Sequence, residues 1–184
     1  KLTIKKIKIP LLGIHNIRNS VAAAAVALTV GISTSNIKEG LLYFKGVQRR
    51  FNKIFSYNKI DFYDDYAHHP TEIKVVLDGV NKVYKGYDKV CVFQPHRISR
   101  LKDLKKEFSF AFRDADIVIL CPIYTAGEKI KLGFNYLSFA KEIIKNSKVK
   151  LFLVKDNIQL AKFIKKNMFG KKIVIGMGAG SISN

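Results

Sequence analysis

Beyond Gly46, short β-branched or aromatic runs alternate with amphipathic stretches, and this constrains the fold more than any other feature. Strand candidates fall at residues 60–64, 89–94, 117–121, 150–154 and 172–177. Helix candidates lie between them at 71–83, 101–113, 136–145 and 158–166. Such alternation predicts an α/β fold: a Rossmann-like, mostly parallel sheet with helices on both faces. In sheets of this kind ligands bind beyond the carboxyl ends of the strands, where strand order reverses. The segments just after each strand are therefore where chemistry is expected.

The residues before Gly46 read differently. Residues 1–12 alternate apolar and basic side chains (Leu2, Ile4, Ile7, Ile9), as a strand would. The alanine-rich stretch 16–28 predicts a helix. A second helix is expected from Ser33 or Thr34 as N-cap to about residue 44. The change of pattern puts a domain boundary near Gly46, giving a piece of one domain (1–45) followed by a second domain (46–184). A length of 184 residues suits that division.

A formal charge of +19 first suggests nucleic acid or another anionic surface as partner. Its distribution argues otherwise, because 27 of the 33 basic residues are lysines spread along the whole chain. That is the pattern of a solvated surface, although a cationic face also attracts anionic substrates such as nucleotides. The longest apolar run, 21–30, is far short of the roughly 18 residues of a membrane span. With no signal peptide visible either, the expected location is the cytoplasm. Cys91 and Cys121 each sit in an apolar run, which predicts inert core thiols with neither a metal cluster nor a disulfide framework.

Four strings stand out where ligands are expected. Asp64-Asp65-Tyr66-Ala67-His68-His69-Pro70-Thr71-Glu72 places two carboxylates, a phenol and two imidazoles in a loop that opens a helix. This density of Asp and His suits metal binding or acid–base work, against the bland alternative of a polar turn. Phe93-Gln94-Pro95-His96-Arg97-Ile98-Ser99-Arg100 puts two arginines three apart on a first helical turn. Their planar forks could clamp a carboxylate or phosphate, in a chain that otherwise prefers lysine; a surface ion pair is the alternative. Gly46-Val47-Gln48-Arg49-Arg50-Phe51 sets two more arginines at the domain boundary, a common place for ligand clefts. In His15-Asn16-Ile17-Arg18-Asn19 the two asparagines share one side of a helical turn. There they either read an adenine edge or cap the helix. The turn Gly176-Met177-Gly178-Ala179-Gly180-Ser181 lacks GxGxxG spacing, so a dinucleotide site is not expected, and no G-x-x-x-x-G-K-[ST] phosphate loop occurs.

Read in order, HNIRN, GVQRRF, DDYAHHPTEI, FQPHRISR, IYTAGE (Ile123–Glu128) and GMGAGSI resemble the Mur ligase family over residues 15–182. Within it they resemble the branch that joins L-alanine to UDP-N-acetylmuramate in peptidoglycan synthesis. The resemblance implies an ATP- and Mg2+-dependent ligase acting through an acyl phosphate. Residues 1–45 would then be the tail of a central ATP-binding domain, and 46–184 the amino-acid-binding C-terminal domain. The P-loop and the UDP-sugar domain would lie upstream, leaving these residues inactive by themselves. By the same resemblance His15, Asn16, Asn19, Arg50 and Asp65 would meet the nucleotide. Tyr66, His68, His96, Arg97 and Arg100 would line the alanine pocket, with His68 the candidate catalytic group and no metal ligand assigned.

Two alternatives remain open on the sequence. One is the murein tripeptide-recycling branch of the same family, which shares DDxAHHPT but departs at FQPHR-x-x-R. The other is a basic nucleic-acid-binding module, motivated by the charge.

Overall fold

The computed structural model describes residues 4–11, 13–128 and 134–182. It divides into two compact units, Lys1–Gln48 and Arg49–Asn184, close to the boundary expected at Gly46.

The first unit holds helices α1 (Ile14–Thr29) and α2 (Thr34–Tyr43). The alanine run sustains α1, and Gly31 ends it at φ 85: Gly31 N–H donates to Leu28 O and Ile32 N–H to Ala27 O. This paired bonding is a left-handed helix stop, which glycine adopts without a Cβ penalty. Ser33 caps α2 by accepting from Asn36 N–H at 3.2 Å. The strand expected over 1–12 is not found. Residues 4–11 have no regular secondary structure, and the rest of that stretch lies outside the described residues. Alternation needs a pairing partner to become a strand, and no described strand pairs with this segment.

The second unit contains strands β1 (Asn52–Tyr57), β2 (Ile60–Asp65), β3 (Asp88–Phe93), β4 (Ile117–Leu120), β5 (Lys150–Leu153) and β6 (Lys172–Met177). They form one sheet in the order β1-β2-β6-β3-β4-β5, parallel except for β1. Helices α3 (Pro70–Val83), α4 (Ile98–Asp103), α5 (Lys105–Phe110), α6 (Tyr136–Ser147) and α7 (Asn157–Asn167) connect them.

Side chains alternate across the pleat, so each strand feeds two cores. Cys91, Phe93, Val118, Leu120, Ile173 and Ile175 pack with Ile73 and Leu77 of α3, Phe108 of α5 and Phe139 of α6. Val90, Val92, Ile119, Cys121 and Val174 pack on the other face with Leu160, Phe163 and Ile164 of α7. Three successive crossovers on one face carry the chain outward to β5, and α7 on the opposite face brings it back to insert β6 between β2 and β3. The expectation of helices on both faces therefore holds. Cys91 and Cys121 are buried free thiols in the two cores. Burial pushes both up, Cys121 to about 12, which keeps them protonated and inert.

Two differences from the sequence reading have local causes. Strand β1 was not expected: it is an edge strand with five of six residues exposed, so it lacks the apolar signal of its neighbours. Asn58 and Lys59, at φ 49 and 64, close its hairpin to β2 in a two-residue turn without glycine. The single helix expected over 101–113 is instead α4 and α5, bent at Leu104 (φ −112, ψ 25), whose side chain packs against the core.

Candidate functional site

Three segments converge beyond the carboxyl ends of β2, β3 and β4. Tyr66 and His68 follow β2; His96, Arg97 and Arg100 follow β3; Tyr124 follows β4. The Tyr66 and His68 rings meet edge to face at 5.2 Å, and His68 meets His96 at 5.7 Å. His96 in turn stacks on Tyr124 at 5.4 Å with the planes 25° apart. Arg100 donates to His96 through Nη1, to Nδ1 at 3.2 Å and to the carbonyl at 3.3 Å. Four of the five residues expected to line one pocket, Tyr66, His68, His96 and Arg100, thus form a continuous surface joined by Tyr124, and Arg97 adjoins it through its backbone bond to Tyr124 O.

The backbone explains how each side chain is held. His69 is the N-cap of α3, its Nδ1 accepting from Thr71 N–H at 3.3 Å. Glu72 Oε2 accepts from the amides of His68 and His69 at 3.0 and 3.1 Å, completing a capping box. Burial of Glu72 works to raise its pKa. The two amide bonds, aided by the nearby His68 and Arg50 charges, outweigh that and hold it below the ordinary carboxyl value. His68 Nδ1 sits 3.0 Å from Tyr66 O and 3.4 Å from Glu72 Oε2. With the proton on Nδ1, its Nε2 is the free acceptor nitrogen.

Arg97 takes a left-handed backbone conformation (φ 68) as N-cap of α4, so it precedes the first helical turn. Its exposed guanidinium makes no hydrogen bond or ion pair among the described residues. Burial, then the charges of Arg100, His68 and Arg97, lowers the pKa of His96 and favours the neutral imidazole that accepts from Arg100. The cluster is therefore cationic through its arginines, and among the described residues neither Arg97 nor Arg100 is paired with a carboxylate.

The residues expected at a nucleotide separate into two groups. Asn16 and Asn19 stand on the first turns of α1, and because the helix starts at Ile14, His15 lies inside it and not before it. Arg50 is exposed. Asp65 is 3% exposed, and its oxygens accept from Phe51 N–H at 2.8 Å and Ala67 N–H at 2.7 Å. Its carboxylate thus organises the turn that carries Arg50.

Arg49, Asp64, Tyr124 and Glu128 received no role from the sequence. Arg49 Nε donates to Asp64 Oδ2 at 3.2 Å, and its Nη atoms donate to Gly178 O and to Gly180 O, the latter at 3.4 Å. Its guanidinium also lies 5.1 Å from the Tyr66 ring centre. Arg49 therefore ties the ends of β2 and β6 together, and the sequence hints were an arginine in a lysine-rich chain and its place near the domain boundary. Asp64 Oδ1 and Gln94 Oε1, which flank the Gly178–Ser181 turn, are buried without a partner among the described residues. An open groove of about 730 Å3, lined by Asp88, Arg113, Asp116, Lys148 and Lys150, lies at the opposite, amino-terminal ends of the strands. The ring and arginine geometry carries more weight than its size, since the groove has none of the clustered aromatic and imidazole groups.

A mostly parallel α/β sheet with helices on both faces, carrying an arginine and imidazole cluster beyond its strand carboxyl ends, places the chain in the doubly wound α/β class. Residues 49–180 match the family model described as "Mur ligase, glutamate ligase domain". The UDP-N-acetylmuramate–L-alanine ligase of Pelagibacter ubique is 72% identical over 182 residues, covering 99% of this chain and 39% of that protein. Its namesake from Brachyspira hyodysenteriae is 42% identical over 176 residues, covering 95% of this chain and 37% of that protein. Among solved structures, UDP-N-acetylmuramate–alanine ligase from Thermotoga maritima superposes with a TM-score of 0.77 at 28% identity, covering 96% of this chain and 37% of that one. The chain belongs to the Mur ligase family, and it spans about two fifths of the length of the curated relatives it matches.

Proposed function

We propose that this chain is the C-terminal part of an ATP-dependent ligase that joins L-alanine to UDP-N-acetylmuramate in peptidoglycan synthesis, and that it supplies the alanine site. The observation that carries this reading is the convergence of Arg97 and Arg100 with Tyr66, His68 and His96 after two different strands. An amino-acid carboxylate needs a cationic fork, and aromatic and imidazole walls leave room for a side chain as small as methyl. The names of relatives 72% and 42% identical support the same substrate pair.

In the reaction, ATP converts the muramyl carboxylate to an acyl phosphate, the alanine amine attacks it, and phosphate leaves. Catalysis of this type rests on positioning and charge neutralisation. The arginines fix the alanine carboxylate, which orients the amine. The ammonium must shed a proton before it can attack, and His68, oriented through Nδ1 by Glu72 and the Tyr66 carbonyl, is the group assigned to take it. Arg50 and Asp65, with His15, Asn16 and Asn19, are assigned to the nucleotide, Asp65 acting through the turn it holds. Residues 1–45 belong in this reading to the tail of the ATP-binding central domain. Mg2+ accompanying ATP would neutralise phosphate charge and is assigned to no residue of this chain. Among the described residues no helix is long and apolar enough to cross a membrane, which agrees with action in the cytoplasm on a nucleotide-linked sugar.

The test is a ligation assay with the full-length protein carrying these residues. ATP-dependent formation of UDP-N-acetylmuramoyl-L-alanine, detected by mass, is expected. Turnover with a tripeptide in place of alanine would move the chain to the recycling branch. Absence of both, with salt-sensitive binding to DNA or RNA, would restore the nucleic-acid reading.

A further inference from the structure

Helix α4 begins where its own sequence supplies no capping side chain. Its N-cap is Arg97, which makes no side-chain capping bond. The exposed N–H groups of a first turn need an acceptor. Glu128 provides it from 29 residues further along the chain: Oε2 accepts from Ser99 N–H at 3.1 Å and Oε1 from Ser99 Oγ–H at 2.5 Å. The segment carrying Glu128 is also fastened at Tyr124. There Arg97 N–H donates to Tyr124 O at 2.9 Å, Tyr124 N–H donates to Pro95 O at 2.8 Å, and the ring stacks on His96.

A glutamate beside an arginine has an obvious alternative partner, and the Arg97 charge acts on Glu128. Arg97 stands two residues from Ser99 with its guanidinium unpaired among the described residues. The Ser99 bonds, and to a smaller extent the Arg97 charge, hold Glu128 below the usual carboxylate range, so it is ionised at neutral pH. Its carboxylate presents the same two-oxygen face to an arginine fork as the carboxylate of an amino acid. Its oxygens are instead engaged at the start of α4, and of these bonds the one from the Ser99 hydroxyl is the bond that a side-chain change removes.

We propose that Ser99 is a positioning residue that sequesters Glu128, keeping this internal carboxylate off Arg97 and Arg100 and docking the Tyr124–Glu128 segment against His96. The inference rests on reading the arginine cluster as the amino-acid site. Releasing Glu128 would turn it into a tethered competitor of alanine, whereas ATP and the UDP-sugar would not feel the change.

In the full-length protein, Ser99→Ala is expected to raise the KM for L-alanine about tenfold, as loss of about 1.4 kcal/mol of binding would. The KM values for ATP and UDP-N-acetylmuramate should stay within about twofold. Ser99→Thr keeps the hydroxyl and should keep the parent value. The double variant Ser99→Ala/Glu128→Gln removes the competing charge and should return the alanine KM most of the way. An unchanged alanine KM in Ser99→Ala, a Thr variant as impaired as Ala, or a double variant no better than the single would each overturn the proposal. Should Arg97→Ala and Arg100→Ala both leave the alanine KM unchanged, it is the amino-acid site itself that is wrong. Should they raise it while Ser99→Ala does not, only the sequestration fails.

Discussion

Arg100 donates from Nη1 to Nδ1 of His96, 3.2 Å away and one helical turn back along the chain. Because Nδ1 accepts, the ring proton belongs on Nε2, and the imidazole is neutral. A second bond, to the His96 carbonyl, holds the guanidinium at the start of α4. One face of the site is thus set before any ligand arrives: arginine fixed by histidine, and histidine fixed by its stack on Tyr124. Preformed geometry of this kind lowers the ordering cost of binding a small ligand.

His96 should accordingly titrate below 6.5. Its folded pKa is depressed by burial and by the Arg100, His68 and Arg97 charges, so the unfolded chain takes up this proton more readily than the folded one. This group's effect on stability is then flat above about pH 6.5, and stability falls as pH drops from there through the folded pKa. The ring-proton shifts of His96 measured against pH check this directly. In Arg100→Ala the midpoint should move upward, and a midpoint at or above 6.5 in the parent would contradict the geometry.

Arg49→Ala should be the most damaging single change at the strand ends. It leaves the buried Asp64 carboxylate without its cation and two glycine carbonyls without their donor. Breaking such a pair costs about 3 kcal/mol, discounted from the fully buried case because Arg49 is partly exposed. A urea midpoint should fall accordingly. Arg49→Lys should recover little, since one ammonium cannot reach three acceptors in the guanidinium's planar arrangement. A midpoint unchanged in Arg49→Ala would remove Arg49 from this role.

Much of this was legible in the sequence, for a physical reason. Central strands such as 172–177, buried on both faces, write their register as unbroken apolar runs, and the helices between them carry clear periodicity. The proximity of Tyr66, His68, His96 and Arg100 was legible because segments that follow neighbouring parallel strands come together at one end of the sheet. The edge strand β1 carried no apolar signal. The role of Glu128 at the start of α4 was hidden because it lies 29 residues from Ser99 in the sequence. The burial of Asp65 under the amides of Phe51 and Ala67 depends on a left-handed turn at Arg49 and Phe51, and no glycine marks that turn.

Gly180 is a close-packing glycine whose replacement should be felt at the site. A Cβ there would lie 2.6 Å from Tyr124 Cγ and 2.6 Å from Gln94 Oε1. Gly180→Ala should therefore push the Tyr124 ring from His96 and weaken alanine binding about tenfold with only modest loss of stability. Isothermal titration or steady-state kinetics with the full-length protein measures it. Unaltered alanine affinity would mean that Tyr124 is not part of the pocket wall.

Glu72 contributes through the capping box at α3. Its folded pKa is held below the ordinary carboxyl value, so its contribution is present above about pH 4.5 and is lost as pH falls through the folded pKa. Glu72→Gln should cost about 1 kcal/mol at pH 7 and less below the folded pKa of Glu72, read from denaturant unfolding on both sides of that pKa. Equal losses at both would show that the ionised carboxylate is not what the two amides require.

The most direct test of the alanine site is the KM for L-alanine against the KM for ATP in Arg97→Ala and Arg100→Ala, measured on the full-length protein. Loss of a charge-assisted contact of about 1.5–3 kcal/mol predicts an alanine KM raised roughly tenfold or more, with the ATP KM within about twofold. An alanine KM unchanged in both variants, or a rise shared equally by ATP, would contradict it.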